Sequence, residues 1–223
     1  VGVASDGQNN IYVADSERGM VLVYDHLGRF RHYLGKIKGE PFFERPEGVA
    51  VDGPAGRIYV ADTPRNVVSV LDLRGQALAN FGRDRIAGQQ VFNKPTSVVL
   101  DRNQLFVLDD FGSRVQVLDL QGRVLRQFRT PNDNDSPPDH AGMAIDSQGD
   151  IYISDEMKGM VRVYSQEGKL LSVFGRAGSK IGEFSRPLGV WVDARDRFYV
   201  ADSNNHRIQV FQFRTRGQRT GCR

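Results

Sequence analysis

Cysteine is nearly absent: Cys222 is the only one in 223 residues. A lone thiol closes no internal disulfide, so no bridged framework holds the fold and the cysteine content does not mark a redox compartment. Lysine is scarce as well. Of 30 basic residues 6 are Lys and 24 are Arg, a balance that suits bidentate pairing with carboxylate or phosphate. No apolar run approaches the ~18–20 residues that cross a bilayer. The formal net charge of +3 is too small to announce nucleic acid as a partner. No segment holds a convincing helical period. Yet 39% hydrophobic and 26% charged residues are ordinary for a globular domain, so the core must be built from something other than long helices or bridges. The chain opens Val1-Gly2-Val3-Ala4, already strand-like, and any targeting segment is expected outside these residues.

What is present is a repeat. Tyr12-Val13-Ala14-Asp15 returns as Tyr59–Asp62, Phe106–Asp109, Tyr152–Asp155 and Tyr199–Asp202, with the Asp residues 47, 47, 46 and 47 positions apart. A second marker precedes each: Gly2–Asp6, Gly48–Asp52, Ser97–Asp101, Gly142–Asp146 and Gly189–Asp193. A third is a hairpin glycine at Gly28, Gly75, Gly122 and Gly168. Three markers in phase along the whole chain identify a repeat architecture, with units at about 1–45, 46–94, 95–140, 141–186 and 187–223 of a single domain.

Each unit reads as four short strands. In the second they are Val49–Asp52, Ile58–Asp62, Val67–Leu71 and Ala77–Phe81, separated by Gly/Pro/Asp turns. The second strand is apolar on both faces, Ile58 and Val60 against Tyr59 and Ala61, and a sheet buried on both faces must lie between neighbours. Four-stranded antiparallel sheets of this length, stacked face to face on copies of themselves, are the blades of a β-propeller. The fold class expected is therefore all-β.

The pattern Pro-x-Gly-Val-x-Val-Asp, then Tyr-Val-Ala-Asp-Ser, then Arg-Ile-Gln-Val-Phe, clearest over Pro187–Phe211, resembles the NHL repeat. The resemblance covers all five units and implies a propeller, usually of six blades. The first unit lacks the Phe-x-(Arg/Lys)-Pro lead-in seen at Phe43–Pro46, Phe92–Pro95 and Phe184–Pro187, and the last would draw a polar fourth strand from Arg214–Arg223. The expectation is most of a six-bladed ring, part of a longer polypeptide or complex, with a compact five-bladed ring as the alternative.

The repeated Asp15, Asp62, Asp109, Asp155 and Asp202 are expected to accept hydrogen bonds from turn N–H groups at the blade margin rather than to ligate a metal. Trp191, where other repeats carry Ala or Val, is expected to pack in the central channel. His26, His32, His140 and His206 occupy unrelated places in their repeats and do not converge as metal ligands. Among NHL-like proteins the amidating lyases place histidines near the start of the inner strand; the matching positions here hold Glu47, Thr96, Ala141 and Leu188. No nucleophile elbow, phosphate loop or paired-carboxylate motif appears, so no catalytic residue is assigned and no cofactor is expected. The weak exception is Ca²⁺ at Asp133, Asp135 and Asp139 in the loop Thr130–His140, where a solvated Pro/Asp turn is the plainer reading.

Every unit places a cation in the turn after its second strand. Arg18, Arg65 and Lys158 stand three residues past the Asp; Arg114 and Arg207 stand five past it. In a propeller these turns share one face with the lead-in loops. With exposed Phe111 they form a candidate docking face for an acidic protein surface or another polyanion; local pairing with neighbouring carboxylates is the competing account. The expected function is thus a non-catalytic interaction or scaffold propeller with a protein partner, in an extracellular or periplasmic setting. A metal-dependent lyase or lactonase and an RNA-binding NHL domain are the alternatives, the latter disfavoured by charge and by acidic residues in the same turns.

Overall fold

Alternating β-branched and aromatic residues bounded by Asp and Gly turns form strands where their pattern places them. The computed structural model describes residues 2–37, 40–82, 91–130 and 140–212. Blade 1 is Val3–Ser5, Ile11–Asp15, Met20–Tyr24 and Phe30–Leu34; blade 2 is Pro46–Asp52, Arg57–Asp62, Val67–Asp72 and Ala77–Phe81. Blade 3 is Pro95–Asp101, Gln104–Asp109, Arg114–Leu118 and Val124–Arg129; blade 4 is His140–Ile145, Ile151–Asp155, Met160–Tyr164 and Leu170–Phe174. Blade 5 has three described strands, Pro187–Val192, Arg197–Asp202 and Arg207–Gln212; the fourth strand expected within Arg214–Arg223 lies outside the described residues. Each blade is an antiparallel meander in simple sequence order. The one helical element among the described residues is the 3₁₀ turn Ser203–Asn205.

The blades stand in a ring, each inner strand packed on that of the next, from blade 1 through blade 5. The two-faced strands supply the mortar. On its face toward blade 3, blade 2 offers Tyr59, Ala61, Val68, Val70 and Phe81, which close on Val98, Leu105, Val107 and Leu118. The same positions recur between blades 1 and 2, 3 and 4, and 4 and 5. Fully burying one such Val, Leu or Phe is worth about 1.5–3 kcal/mol, so stability resides largely between blades, as in other repeat proteins.

Two further devices lock the stack. Outer hairpins close where Asp25, Asp72 and Asp119 each accept two backbone N–H groups through Oδ1 at 2.8–3.0 Å. Gly122 in one such hairpin takes φ +85° and lies under the Phe81 ring of the preceding blade, leaving no room for a Cβ. The end of the second strand is tied to the next blade by a hydroxyl: Ser16 Oγ donates to the Pro46 carbonyl at 2.6 Å, and Thr63 Oγ1 to Pro95 at 2.8 Å.

Candidate functional site

The turns after the second strands and the lead-in loops meet on one face, and the repeated Asp residues tie them together. Asp62 accepts the N–H groups of Glu44 and Arg45; Asp109 accepts that of Asn93; Asp202 accepts that of Ser185, all at 2.5–3.2 Å. In these three blades the partner is the lead-in loop, so the carboxylate fastens two segments of chain; Asp15 and Asp155 instead accept N–H groups of their own turns, those of Arg18 and Lys158, both at 2.9 Å.

The turn cations complete the clamps. Arg18 pairs with Asp15 at 2.8 Å. Arg65 donates to the Phe42 carbonyl at 2.5 Å and lies 3.5 Å from Asp62 and 3.8 Å from Glu44. Arg114 meets Asp109 through Nε and the Val91 carbonyl through Nη2, both at 2.8 Å. Arg207 repeats this on Asp202, at 2.8 Å, and on the Lys180 carbonyl, at 2.6 Å. Lys158 gives its backbone N–H to Asp155 at 2.9 Å. The arginines five residues past the Asp therefore reach under the lead-in loop, while Arg18, three past it, pairs at the surface.

In the middle of an apolar third strand, Arg162 is buried and pairs with Asp155 at 3.2 Å. Gln116 and Gln209, at the equivalent position, donate to Asp109 and Asp202. The sequence signal was available: a cation inside a strand buried on both faces demands a buried acid.

Asp109 and Asp202 share partners but not charge balance. Burial pushes the Asp109 carboxyl above its ordinary range despite the Asn93 N–H, Arg114 and Gln116. Burial also works against ionised Asp202, but the Ser185 N–H, Asn205, Arg207 and Gln209 outweigh it and hold its carboxyl low. On the opposite face Tyr12, Tyr152 and Tyr199 donate their hydroxyls to Asp6, Asp146 and Asp193 at 3.1 Å. Burial, then the Asp6 charge, push the Tyr12 hydroxyl up to about 12.

Between the clamps the loop face presents apolar side chains. Phe111 is exposed with Lys94 Nζ 4.3 Å above its ring, and Met157 and Ile181 are exposed almost fully. Beside Met157 a shallow hollow of about 270 Å³ is floored by Gly159 and Phe184, next to the Glu156–Arg186 ion pair at 2.5 Å. Glu47, near the start of an inner strand, is paired with Arg45 at 2.9 Å, while Thr96 is buried and Leu188 exposed. Among the described residues no group of three or more His, Cys, Asp or Glu side chains could hold a metal ion. Asp133, Asp135 and Asp139 lie outside those residues. Trp191 rests on Tyr199, ring centroids 5.0 Å apart, on the side of blade 5 away from blade 4, and is 58% exposed. It is a surface residue rather than packed filling, because among the described residues no neighbouring sheet covers it there.

Comparison with known proteins agrees with this architecture. The family model for the NHL repeat matches residues 43–71 and 184–211. Protein lin-41 of Caenorhabditis elegans is 49% identical over 45 residues, 20% of this chain and 4% of that protein. The NHL repeat-containing protein 3 of Homo sapiens is 36% identical over 74 residues, 32% of this chain and 21% of that protein. The matches thus span a small part of these relatives' length. Among solved structures, one of a nidogen/laminin complex superposes with a TM-score of 0.71 at 16% identity, covering 95% of this chain and 75% of the other. Virginiamycin B lyase from Staphylococcus aureus gives 0.64 at 11% identity, covering 96% and 70%. At such identities the likeness is one of fold.

Proposed function

We propose that this NHL-repeat β-propeller is a non-catalytic docking module that holds a protein partner on the face carrying its lead-in loops. The supporting observation is the set of Asp–Arg clamps, which fasten the lead-in loops of blades 2, 3 and 5 to their turns before any partner arrives. A loop already ordered gives up little conformational entropy on binding. Exposed Phe111, Met157 and Ile181 supply apolar anchors, and Arg18, Arg65, Arg114, Lys158 and Arg207 mark the face around them. Since the arginines are paired with carboxylates of their own blades, the reading favours a mixed, partly apolar protein surface over a simple polyanion.

The scarcity of lysine makes the test clean. Lys94, Lys158 and Lys180 lie on the docking face, and Lys169 lies in an outer hairpin at the other end of its blade. Amine cross-linking of the chain with a co-purified partner, read by mass spectrometry, should join the partner to the first three and not to Lys169. Cross-links through Lys169 alone, or undiminished binding by a Phe111→Ala, Met157→Ala, Ile181→Ala triple variant, would sink the reading.

A further inference from the structure

Two seams on the loop face, built from the same repeat positions, differ in what the residue before the lead-in proline bonds. Between blades 2 and 3, Lys94 sets its ammonium on Asp110 at 2.8 Å and gives its backbone N–H to Asn66 Oδ1 at 2.7 Å. Both acceptors come from the chain itself, Asp110 from the turn of blade 3 and Asn66 from the turn of blade 2. Between blades 4 and 5, Arg186 stands at the same place. Its φ of +59° matches the +64° of Lys94, and its carbonyl accepts the Ser203 N–H as that of Lys94 accepts the Asp110 N–H. Here neither acceptor is present: Ser203 replaces the acid and Gly159 replaces the asparagine. Among the described residues the Arg186 N–H makes no hydrogen bond, and the guanidinium turns to the preceding blade, bonding Glu156 through Nε.

The hollow of about 270 Å³ beside Met157 lies at this seam, and its lining gathers donors without acceptors. Besides the Arg186 N–H and the two Nη groups of its guanidinium, these are the Ser185 hydroxyl and the Asn204 side-chain amide, none of them hydrogen-bonded among the described residues. The Arg186 side chain is 55% exposed, so its Nη groups are open to a ligand. The one acid of the lining, Glu156, is already engaged. A side chain at Gly159 cannot fill the seat as Asn66 does, because a Cβ there would lie 2.6 Å from the Phe184 carbonyl. The volume falls below the roughly 300 Å³ at which small-molecule pockets begin and suits a single side chain.

We propose that this hollow is the subsite for one acidic side chain, Asp or Glu, of the docked protein. The inference rests on the docking function proposed above and specifies the chemistry of one contact within it. A carboxylate provides what the seam lacks. It meets the Nη groups of Arg186 in a fork and keeps lone pairs for a neighbouring N–H or hydroxyl. The seam between blades 2 and 3 displays the same match from within, with Asp110 and Asn66 as the oxygen donors of lone pairs. A basic side chain would find one acceptor, Glu156, amid a ring of donors. Phe184 and exposed Met157 receive the methylene stem.

The first test needs no partner. N-acetyl-Glu-N-methylamide, titrated into the full chain and followed by ¹H–¹⁵N NMR, should shift the Gly159 and Gly178 amides saturably. N-acetyl-Gln-N-methylamide should bind at least about fivefold more weakly, since a charge-assisted bond exceeds a neutral one. Arg186→Gln should remove the preference. Ser203→Asp gives Arg186 an acid at the position where Lys94 has Asp110, so it should compete with the Glu probe and weaken it at least about fivefold, while Ser203→Asn leaves it unchanged. Equal shifts from both probes, or tighter binding of the Glu probe to the Ser203→Asp chain, would overturn the proposal. With the co-purified partner, Ser203→Asp should lower affinity while cross-links through Lys158 and Lys180 persist. Persisting cross-links with unchanged affinity would overturn this subsite alone. Loss of all loop-face cross-links in the parent chain would instead sink the docking reading, and the probe titration would still decide the chemistry of the hollow.

Discussion

In blade 3 every residue of the second strand after Gln104 is buried, and Asp109, Arg114 and Gln116 form their clamp with sheets on either side. In blade 5 Asp202, Arg207 and Gln209 make the same bonds, yet burial alternates along the second strand, Phe198, Val200 and Asp202 in, Tyr199 and Ala201 partly out. The hydrogen-bond pattern is thus local to a blade and survives without a neighbour. The apolar burial, and with it most of the stabilisation, belongs to pairs of blades. One sequence pattern carries two layers of information, and only the second depends on what stands alongside.

The largest expected contrast tests that separation. Val117→Asp would bury an unpaired carboxylate and should cost at least about 4 kcal/mol, enough to threaten folding. Val210→Asp, at the same position of blade 5, should change stability by less than about 0.5 kcal/mol. Urea unfolding of the two variants checks this; similar costs would mean that this face of blade 5 is covered in solution.

A steric contrast comes next. Gly28→Ala and Gly122→Ala each place a Cβ at positive φ, +75° and +85°, which costs about 1–2 kcal/mol. At Gly122 the Phe81 ring must also move, adding about 1–3 kcal/mol of overpacking. Thermal or urea midpoints should therefore fall further for Gly122→Ala, and equal falls would show that the Phe81 contact carries no weight.

The clamps themselves should respond oppositely to pH. The Asp109 carboxyl is raised in the folded state by burial, so its contribution is fully present below the ordinary Asp value near 3.9 and is lost as pH rises through the folded value. The Asp202 carboxyl is lowered, so its contribution is present above the ordinary value and is lost as pH falls. Between pH 7 and 3, Asp202→Asn should lessen the acid loss of stability and Asp109→Asn should deepen it. Urea midpoints across that range read the difference, and slopes of the same sign would contradict it.

Much of this was legible in the residues alone. Strands apolar on both faces, such as Ile58–Asp62, allow few arrangements other than sheets stacked on sheets, and the in-phase Asp and Gly markers set the blade length. The strand-end Asp residues were readable as hydrogen-bond acceptors because turns leave N–H groups to satisfy, and Asp15 and Asp155 accept such turn groups; that the donors to Asp62, Asp109 and Asp202 come from lead-in loops 16–18 residues upstream required the third dimension. The turn cations were legible by position, but their partners were not: Arg114 and Arg207, five residues past the Asp, reach lead-in carbonyls, Arg65 does so from three past it, Arg18 pairs with Asp15 at the surface, and in blade 4 Arg162 takes the acid from within the sheet. Trp191 was misplaced for a related reason. A repeat pattern says which face a residue lies on, not whether a neighbour is there to cover it.

The smallest contrast concerns single hydroxyls. Thr63 is buried and bridges to the Pro95 carbonyl of the next blade at 2.8 Å. Thr63→Val keeps the shape but leaves that carbonyl without its donor, a loss of about 1–2 kcal/mol. Ser203 stands at the same point of blade 5, partly exposed, with only a 3.5 Å contact to Ala201. Ser203→Ala should stay within about 0.5 kcal/mol of the parent chain. Because the two residues occupy equivalent positions and differ chiefly in whether a next blade is present, the difference between their costs measures what one inter-blade hydrogen bond contributes. A Ser203→Ala cost equal to that of Thr63→Val would mean that its hydroxyl already has a partner.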